Sequence, residues 1–334
     1  MTERLRIATF NLENLDDKPG EEPSLQERIP LMRPQLTRLA ADVLCLQEVH
    51  GQEEDDEPRG LLALEQLLEG TPYAGYHVAH TKTQGGEAYD ERNLVVLSRR
   101  EILGQEQYMN RFCPAPLYKK VTADPPPAEP EPIGWERPIL HVRIGLVGGK
   151  TLHIFNVHLK SKAPTDIVGQ NKDVPDPKLP PFAWRTAYGW AEGFFVSSMK
   201  RVGQALEARI IVDRLFEQDA NVRIVVCGDF NADSDDVPVQ AIRGDVENTG
   251  NPALSQRVLV PCEQSIPESA RYSYLYHGKG EMIDHLLVSR NLLEFYRGSE
   301  IHNELLHDES ASFAVDKKYP ESDHAPVVAH FDLP

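Results

Sequence analysis

Basic charge is in short supply in this chain: 35 Lys and Arg stand against 52 Asp and Glu, a formal net charge of −17 over 334 residues. Nonspecific affinity for a polyanion comes from Lys and Arg displacing counterions, so this balance argues against broad electrostatic tracking of a nucleic acid duplex. No helix-turn-helix, zinc-finger spacing or basic arm suggests sequence recognition. Long apolar runs are missing too. None approaches the roughly 18 residues a membrane span needs, which predicts a soluble protein without a membrane span. Cysteine is scarce: Cys45, Cys113, Cys227 and Cys262 lack the short Cys or His spacings of structural zinc, and their mixed contexts argue against a disulfide framework. Cys45 and Cys227 sit within apolar runs and are expected to be buried. Residues 1–6 lead straight into the first apolar run and leave no room for a cleavable leader, so the expected location is the reducing cytoplasm. Neither an internal repeat nor a domain linker is evident. A hydrophobic content of 40% supports one sizeable core, and the expectation is a single domain over residues 1–334. The acidic stretches at 53–57 and 129–136 read as solvated loops.

What the chain does carry is a set of polar tips on apolar, β-rich runs. Residues 222–227 lead into Gly228-Asp229-Phe230-Asn231, residues 5–10 into Asn11, residues 42–47 into Glu48, and residues 152–157 into His158. Ser322-Asp323-His324-Ala325-Pro326 opens the last apolar run, and Asp284-His285 interrupts another. Strand ends are where catalytic groups commonly sit. The oxygens of Glu48, Asp229, Asp323, Asn11 and Asn231 suit a hard cation such as Mg²⁺, Mn²⁺ or Ca²⁺, and His158 and His324 suit proton transfer. An Asp or Asn after a strand also serves as a turn former or helix cap, the plainer reading of Asn231. His285, next to Asp284, faces the other side of its strand by alternation and is expected to be structural. His77, His80, His141, His153, His277, His302, His307 and His330 have no comparable setting and read as surface or packed side chains.

Helices are predicted over 24–41, 60–68 and 184–216, the last with Phe195, Met199, Val202, Leu206 and Ile210 as an apolar stripe against a sheet. Arg201 lies off that stripe and reads as mainly structural. Two insertions, 114–138 and 163–182, have loop composition, and the second is expected to overhang His158 and shape access.

Six segments in one order resemble the endonuclease/exonuclease/phosphatase superfamily of metal-dependent phosphoesterases. They are Thr9-Phe10-Asn11-Leu12-Glu13-Asn14-Leu15, Leu46-Gln47-Glu48-Val49, Asn156-Val157-His158-Leu159-Lys160-Ser161, Gly228-Asp229-Phe230-Asn231, Ile283-Asp284-His285-Leu286-Leu287 and Ser322-Asp323-His324-Ala325-Pro326. The resemblance implies a deoxyribonuclease-like α/β fold, a four-layer α/β/β/α sandwich of two mixed β-sheets flanked by helices. It implies that Glu48, with Asn11 and Asp323, holds the metal, that His324 paired with Asp284 acts at the phosphate, and that His158 contacts a phosphate oxygen. It also implies that Asp229 and Asn231 orient the attacking water, with a metal role open for Asp229, and that the cofactor is Mg²⁺ or Mn²⁺, with Ca²⁺ also compatible, as one or two ions.

Tyr272-Ser273-Tyr274-Leu275-Tyr276, then Gly278 and Ile283-Asp284-His285, is similar to bacterial nucleases of this superfamily. Its inositol-phosphate phosphatases usually carry Trp-Cys-Asp-Arg where this chain has Met282-Ile283-Asp284-His285, which disfavours that substrate class. The expectation is therefore a metal-dependent phosphodiesterase acting on nucleic acid, with no protein partner. The alternatives are a small-molecule or lipid phosphoesterase, sphingomyelinase-like or phosphatase, on the same scaffold, and a binding protein without turnover. The last would be expected to have lost a central group, and none of Glu48, Asp229, Asn231, Asp284, Asp323 or His324 is missing.

Overall fold

Successive strand side chains point to opposite faces, and here the apolar runs are buried on both. The computed structural model describes residues 3–53, 57–174, 183–311 and 318–334, so parts of the 53–57 and 163–182 stretches lie outside the described residues. In chain order the strands begin with β1 (Glu3–Leu15), β2 (Val43–Val49), β3 (His77–His80), β4 (Asn93–Ser98) and β5 (Ile102–Tyr108). The short β6 (Leu117–Tyr118) and β7 (Glu131–Pro132) precede β8 (Ile139–Gly145), β9 (Thr151–His158) and β10 (Arg223–Asp229). Then come β11 (Leu259–Pro261), β12 (Tyr274–Tyr276), β13 (Lys279–Glu281), β14 (Asp284–Ser289), β15 (Tyr296–Ile301) and β16 (Val327–Leu333). One six-stranded sheet has the order β15-β16-β1-β2-β4-β3 and the other β11-β14-β10-β9-β8-β5. Both are mixed: β1 runs parallel to β2 and β9 parallel to β10, and their other ladders are antiparallel.

The sheets meet through Leu5, Ile7, Val43, Cys45 and Val96 on one side and Leu140, Val142, Ile154, Val225, Cys227 and Val288 on the other. Cys45 and Cys227 are buried free thiols, as expected. On the outer face of the first sheet, Phe10, Leu44, Leu46 and Leu97 pack against α1 (Leu25–Leu39) and α2 (Leu62–Leu68). On the second, Phe155, Val157, Ile224 and Val226 pack against α3 (Ala187–Gln218) and α4 (Val237–Arg243). The result is the expected α/β/β/α sandwich. Each buried aliphatic side chain contributes about 1.5–3 kcal/mol, so double-faced burial is the main source of stability.

One polar device crosses the apolar interface beneath the strand tips. Asn156 Nδ2 donates to the carbonyls of Leu46 (2.9 Å) and Val95 (3.0 Å), and its Oδ1 accepts from Gln47 Nε2 at 2.7 Å. It is fully buried and its amide is paired at both ends, so it ties β9 to β2 and β4 and fixes the tips of the two sheets relative to each other.

The helices start later than predicted, α3 because Thr186 is its cap, its side chain accepting from Gly189 N at 3.1 Å. Its predicted stripe is wrong by a face. Phe195 and Leu206 are exposed, and the buried positions are Val196, Ala205, Ala208, Ile211, Val212 and Phe216, interspersed with Glu192, Gln204 and Glu207. Those carboxylates are buried because they serve loop backbone. Glu192 accepts from Val121 N (2.6 Å) and Thr122 N (2.8 Å). Glu207 accepts from Asn110, Arg111 and Phe112 N at 2.6 to 2.9 Å and from Trp135 Nε1 at 2.9 Å. The 114–138 insertion is thus pinned to α3, with Ala123 and Ile133 packed on Ile167 and Val196. The described part of the second insertion also follows α3, Thr165 N donating to Gly193 O at 3.0 Å.

Gly228 shows how tightly the tips are built. Its φ is +134°, and a Cβ there would lie 1.9 Å from the Val157 carbonyl oxygen. Gly228→Ala is expected to cost at least about 2 kcal/mol through steric conflict at a strained backbone position, measured by denaturant unfolding; an unchanged midpoint would contradict this close approach.

Candidate active site

Register brings the tips together. Asp229 pairs with His158 across the parallel β10–β9 ladder and with Asp284 across the antiparallel β10–β14 ladder, so three functional side chains become lateral neighbours on one face. Glu48 on β2 and Asn231 after β10 hold left-handed backbone, φ 58° and 48°, at a cost of about 1–3 kcal/mol each.

Asp229 is nearly enclosed. Its Oδ1 accepts from Asn231 N at 2.8 Å, and its Oδ2 from Asn231 Nδ2 at 2.9 Å and Asn11 Nδ2 at 3.1 Å. Asn11 Nδ2 also reaches Glu48 Oε1 at 3.3 Å, while its Oδ1 accepts from Glu13 N at 2.9 Å. The Asn11 amide therefore turns its donor to the carboxylates and its acceptor to the backbone. Glu48 Oε2 accepts from Asn14 N at 3.0 Å. His158 Nε2 lies 3.4 Å from Glu48 Oε1 and 3.3 Å from Asp229 Oδ2. Burial, with Arg137 and then His324 beside it, holds the His158 pKa well below the usual histidine range, so it is neutral at pH 7.

His324 is the opposite case. Burial would lower its pKa, but Asp284 and Asp323 outweigh it and the shift is strongly upward. Its Nδ1 is 2.7 Å from Asp284 Oδ2, and its backbone N donates to Ser322 Oγ, which itself donates to Asn11 O at 2.7 Å. Asp284 is positioned in turn by Ser273 Oγ, which accepts from Asp284 N at 3.0 Å. Two neighbouring imidazoles are thus pushed in opposite directions, His324 towards the imidazolium and His158 towards the neutral form, a contrast that would suit a division between acid and base. Burial, with Asp284 and Glu48 adding to it against His324, pushes Asp229 up to about 7, and burial with Glu48 pushes Asp323 up to about 6.

These groups open onto a cleft of about 570 Å³ lined by Glu48, His158, Asp229, Asn231, Asp323 and His324. Asn11 and Asp284 stand behind it, one hydrogen bond away. Oδ1 of Asp323 is buried and accepts no hydrogen bond among the described residues, and oxygen and nitrogen atoms of Glu48, His158 and Asp229 lie within 4.8 Å of one another. An orphaned carboxylate oxygen among further carboxylates is a donor set that fits a hard divalent cation.

The cleft also holds Arg92, Arg137 and Lys162, which sequence reasoning missed, and Tyr274 and Tyr276 of the tyrosine motif, to which it gave no place in the site. Arg137 is buried, and its Nη1 lies against both ring nitrogens of His158. Arg137-Pro138 reads as the end of a loop insertion; the available signal was a cation directly before the β-rich stretch 139–144. Arg201 is structural, as expected, Nη1 donating to Lys160 O and Ser161 O at 3.0 and 2.9 Å.

His285 points away from the cleft, as alternation predicted, and is fully buried with Nδ1 2.7 Å from Glu263 Oε1 and Nε2 2.9 Å from Ala232 O. Burial lowers its pKa, but the Glu263 hydrogen bond and charge outweigh it and raise the net value above 6.5. A raised folded pKa gives stability that is fully present below about pH 6.5 and is lost as pH rises through the folded value. Glu263→Ala is therefore expected to cost about 3–5 kcal/mol at pH 6 and less at pH 9, measured by denaturant unfolding at both; an equal cost would contradict a charged pair.

Comparison with known proteins fits this geometry. Among curated proteins none matches the chain by sequence. Solved structures do: an endonuclease/exonuclease/phosphatase family protein from Bacteroides thetaiotaomicron shares 17% identity at a TM-score of 0.58, covering 100% of this chain and 96% of that one. The Neisseria 3′ phosphatase NExo bound to product DNA hairpin gives 17% and 0.53 over 98% and 99%, and an AP endonuclease from Archaeoglobus fulgidus 15% and 0.51 over 98% and 100%. At such identities the likeness is one of fold. The sequence model of one family matches residues 8–324, nearly the whole chain, and this chain accordingly belongs to the Endonuclease/Exonuclease/phosphatase family.

Proposed function

We propose that the protein is a divalent-metal-dependent phosphodiesterase that hydrolyses nucleic acid. The observation that carries this reading is one cleft in which Glu48, Asp229 and Asp323 converge with the His324 imidazolium, held by Asp284 at 2.7 Å, while Arg92, Arg137 and Lys162 share its walls. Acidic groups alone would repel a phosphate; with a cation and these basic side chains the cleft complements one. Glu48 and the orphaned Asp323 oxygen would hold the cation, and Asn11 would join them only with its amide turned over. The cation, Mg²⁺ or Mn²⁺, supplies charge neutralisation on a phosphoryl oxygen when bound.

The remaining work falls to the chain. Asp229, with a pKa of about 7, matches a general base operating at neutral pH, and Asn231 fixes its carboxylate plane. The imidazolium of His324 donates from Nε2 to developing negative charge, and Arg137 adds a permanent positive charge beside neutral His158. Related enzymes in the same fold include a 3′ phosphatase bound to DNA and an AP endonuclease, which favours a nucleic acid substrate for this one.

The class is tested with bis-p-nitrophenyl phosphate and p-nitrophenyl phosphate, each with EDTA, Mg²⁺ or Mn²⁺. Diester hydrolysis restored by metal and exceeding monoester hydrolysis is expected; turnover that is equal in EDTA would contradict the metal role. Glu48→Gln is expected to raise the Mg²⁺ concentration for half-maximal activity at least about 10-fold, in the range seen when a metal site loses a supporting group, and an unchanged Mg²⁺ titration would remove Glu48 as a ligand.

A further inference from the structure

A net charge of −17 opposes the long-range attraction of a polyanion, so substrate affinity gains from contacts that do not depend on charge. Helix α3 offers them. Residues 190, 194, 197 and 201 are spaced three and four apart and therefore share one flank. The inner end of that flank is tied to the cleft: Arg201 donates to the Lys160 and Ser161 carbonyls, and Ser197 Oγ donates to Ala163 O at 2.7 Å. Ser161, Lys162 and Ala163 line the cleft. At the outer end Trp190 and Phe194 stack, ring centroids 5.7 Å apart at 24°, and stay 46% and 40% exposed. At 1.5 Å per residue the pair spans roughly 10 to 16 Å beyond Arg201 along the helix axis.

Resting on the nucleic-acid reading above, we propose that Trp190 and Phe194 form a stacking platform for an unpaired base of a single-stranded nucleic acid whose scissile phosphate lies in the cleft. A base offers its π-face to a protein only when it is unpaired and unstacked, and aromatic stacking holds a strand without regard to sequence or to many phosphate contacts. A duplex hides those faces and binds through a broad basic footprint, which this acidic chain does not supply. Three cations in the cleft suffice for the phosphates nearest the reaction. Continuity between the platform and the cleft wall decides the occupant: residues 163–165 run from the cleft wall over Ser197 and Gly193, so a strand leaving the site passes over exposed Ala163 towards Phe194 and Trp190. Tyr274 and Tyr276 line the cleft with ring planes 14° apart and offer the same chemistry there.

The test compares the intact wild-type chain with Trp190→Ala, Phe194→Ala and Trp190→Phe on a single-stranded DNA dodecamer, the blunt duplex and bis-p-nitrophenyl phosphate, all with Mg²⁺. Each Ala variant is expected to raise KM for the single strand at least about 5-fold, the scale of one lost base stack, with kcat, the small diester and the duplex unchanged, and Trp190→Phe is expected to keep the wild-type KM. Oligonucleotide cleavage with unchanged single-strand KM in both Ala variants overturns the platform alone. Hydrolysis of the small diester but of no oligonucleotide by the wild type overturns the nucleic-acid reading and the platform with it. Co-sedimentation with phosphatidylcholine vesicles that Trp190→Ala abolishes, with oligonucleotide KM unmoved, assigns the pair to a lipid surface and overturns the proposal.

Discussion

His324→Ala is expected to lower kcat on a diester substrate by at least about 100-fold while the fold stays intact, the usual scale for losing a positioned proton-transfer group. The side chain sits in surroundings that suit that role. Its Nδ1 is committed to Asp284 at 2.7 Å, which leaves Nε2 facing the cleft, and its charge is maintained by Asp284 and Asp323 against a burial that would remove it. No backbone group depends on the imidazole; the supporting contacts to Ser322 and Ser273 are made by backbone N–H groups of His324 and Asp284. Far-UV circular dichroism should therefore keep its wild-type form, while the melting temperature falls because Asp284 is left buried without its partner. Wild-type turnover in this variant would remove His324 from the mechanism.

Asp229→Asn carries the second large effect, and its sign differs between activity and stability. Turnover is expected to fall at least about 100-fold, because an amide cannot accept the proton of an attacking water. Stability measured in EDTA should move the other way as pH rises. Burial, reinforced by Asp284 and Glu48 over the opposing pull of His324, raises the Asp229 pKa from 3.8 to about 7 in the folded chain. A raised folded pKa means that the favourable contribution is present below pH 3.8 and is lost as pH climbs through about 7, where the ionised carboxylate becomes a liability. The stability of the variant relative to wild type should thus increase by about 2–3 kcal/mol between pH 5 and pH 8. Comparing the two pH values cancels the fixed cost of turning an amide donor towards Asn11 and Asn231. Parallel stability curves for the two proteins would contradict a pKa near neutrality for Asp229. The trade of stability for function at this position is what a crowded, charged site requires.

The site was legible because its chemistry is concentrated where apolar runs stop. Glu48, His158 and Asp229 each stand at the end of a run rich in Val, Ile, Leu, Phe and Cys, and the end of a strand places its last side chain with little freedom. The resemblance pointed to Asp284, alternation then put His285 on the opposite face, and the Glu263 contact at 2.7 Å gives that second histidine its partner. Arg137 escaped because nothing local distinguishes it: it ends a proline-rich stretch that reads as loop, and its meaning comes from contact with His158, 21 residues further on. The α3 stripe failed for a related reason. Apolar periodicity assumes that a helix buries only apolar groups, whereas this one packs against loops whose unpaired N–H groups demand acceptors, so Glu192 and Glu207 go inside and Phe195 and Leu206 go out. Four of the large aromatics of that helix, Tyr188, Trp190, Phe194 and Phe195, are left on its exposed surface.

Asn11 is where resemblance and geometry differ in emphasis. The resemblance implies a ligand oxygen, while the amide donates to Asp229 and Glu48 and accepts from Glu13 N. Its position between the two carboxylates sets their separation whichever way the amide faces.

The most direct measurement follows cleavage of end-labelled single- and double-stranded DNA and RNA in Mg²⁺ and in EDTA, with the Asp229→Asn/His324→Ala double variant as control. Metal-dependent cleavage of at least one nucleic acid, absent in EDTA and absent in the double variant, is the expected result. Intact oligonucleotides beside Mg²⁺-dependent turnover of a small diester, or cleavage that survives in the double variant, would contradict it.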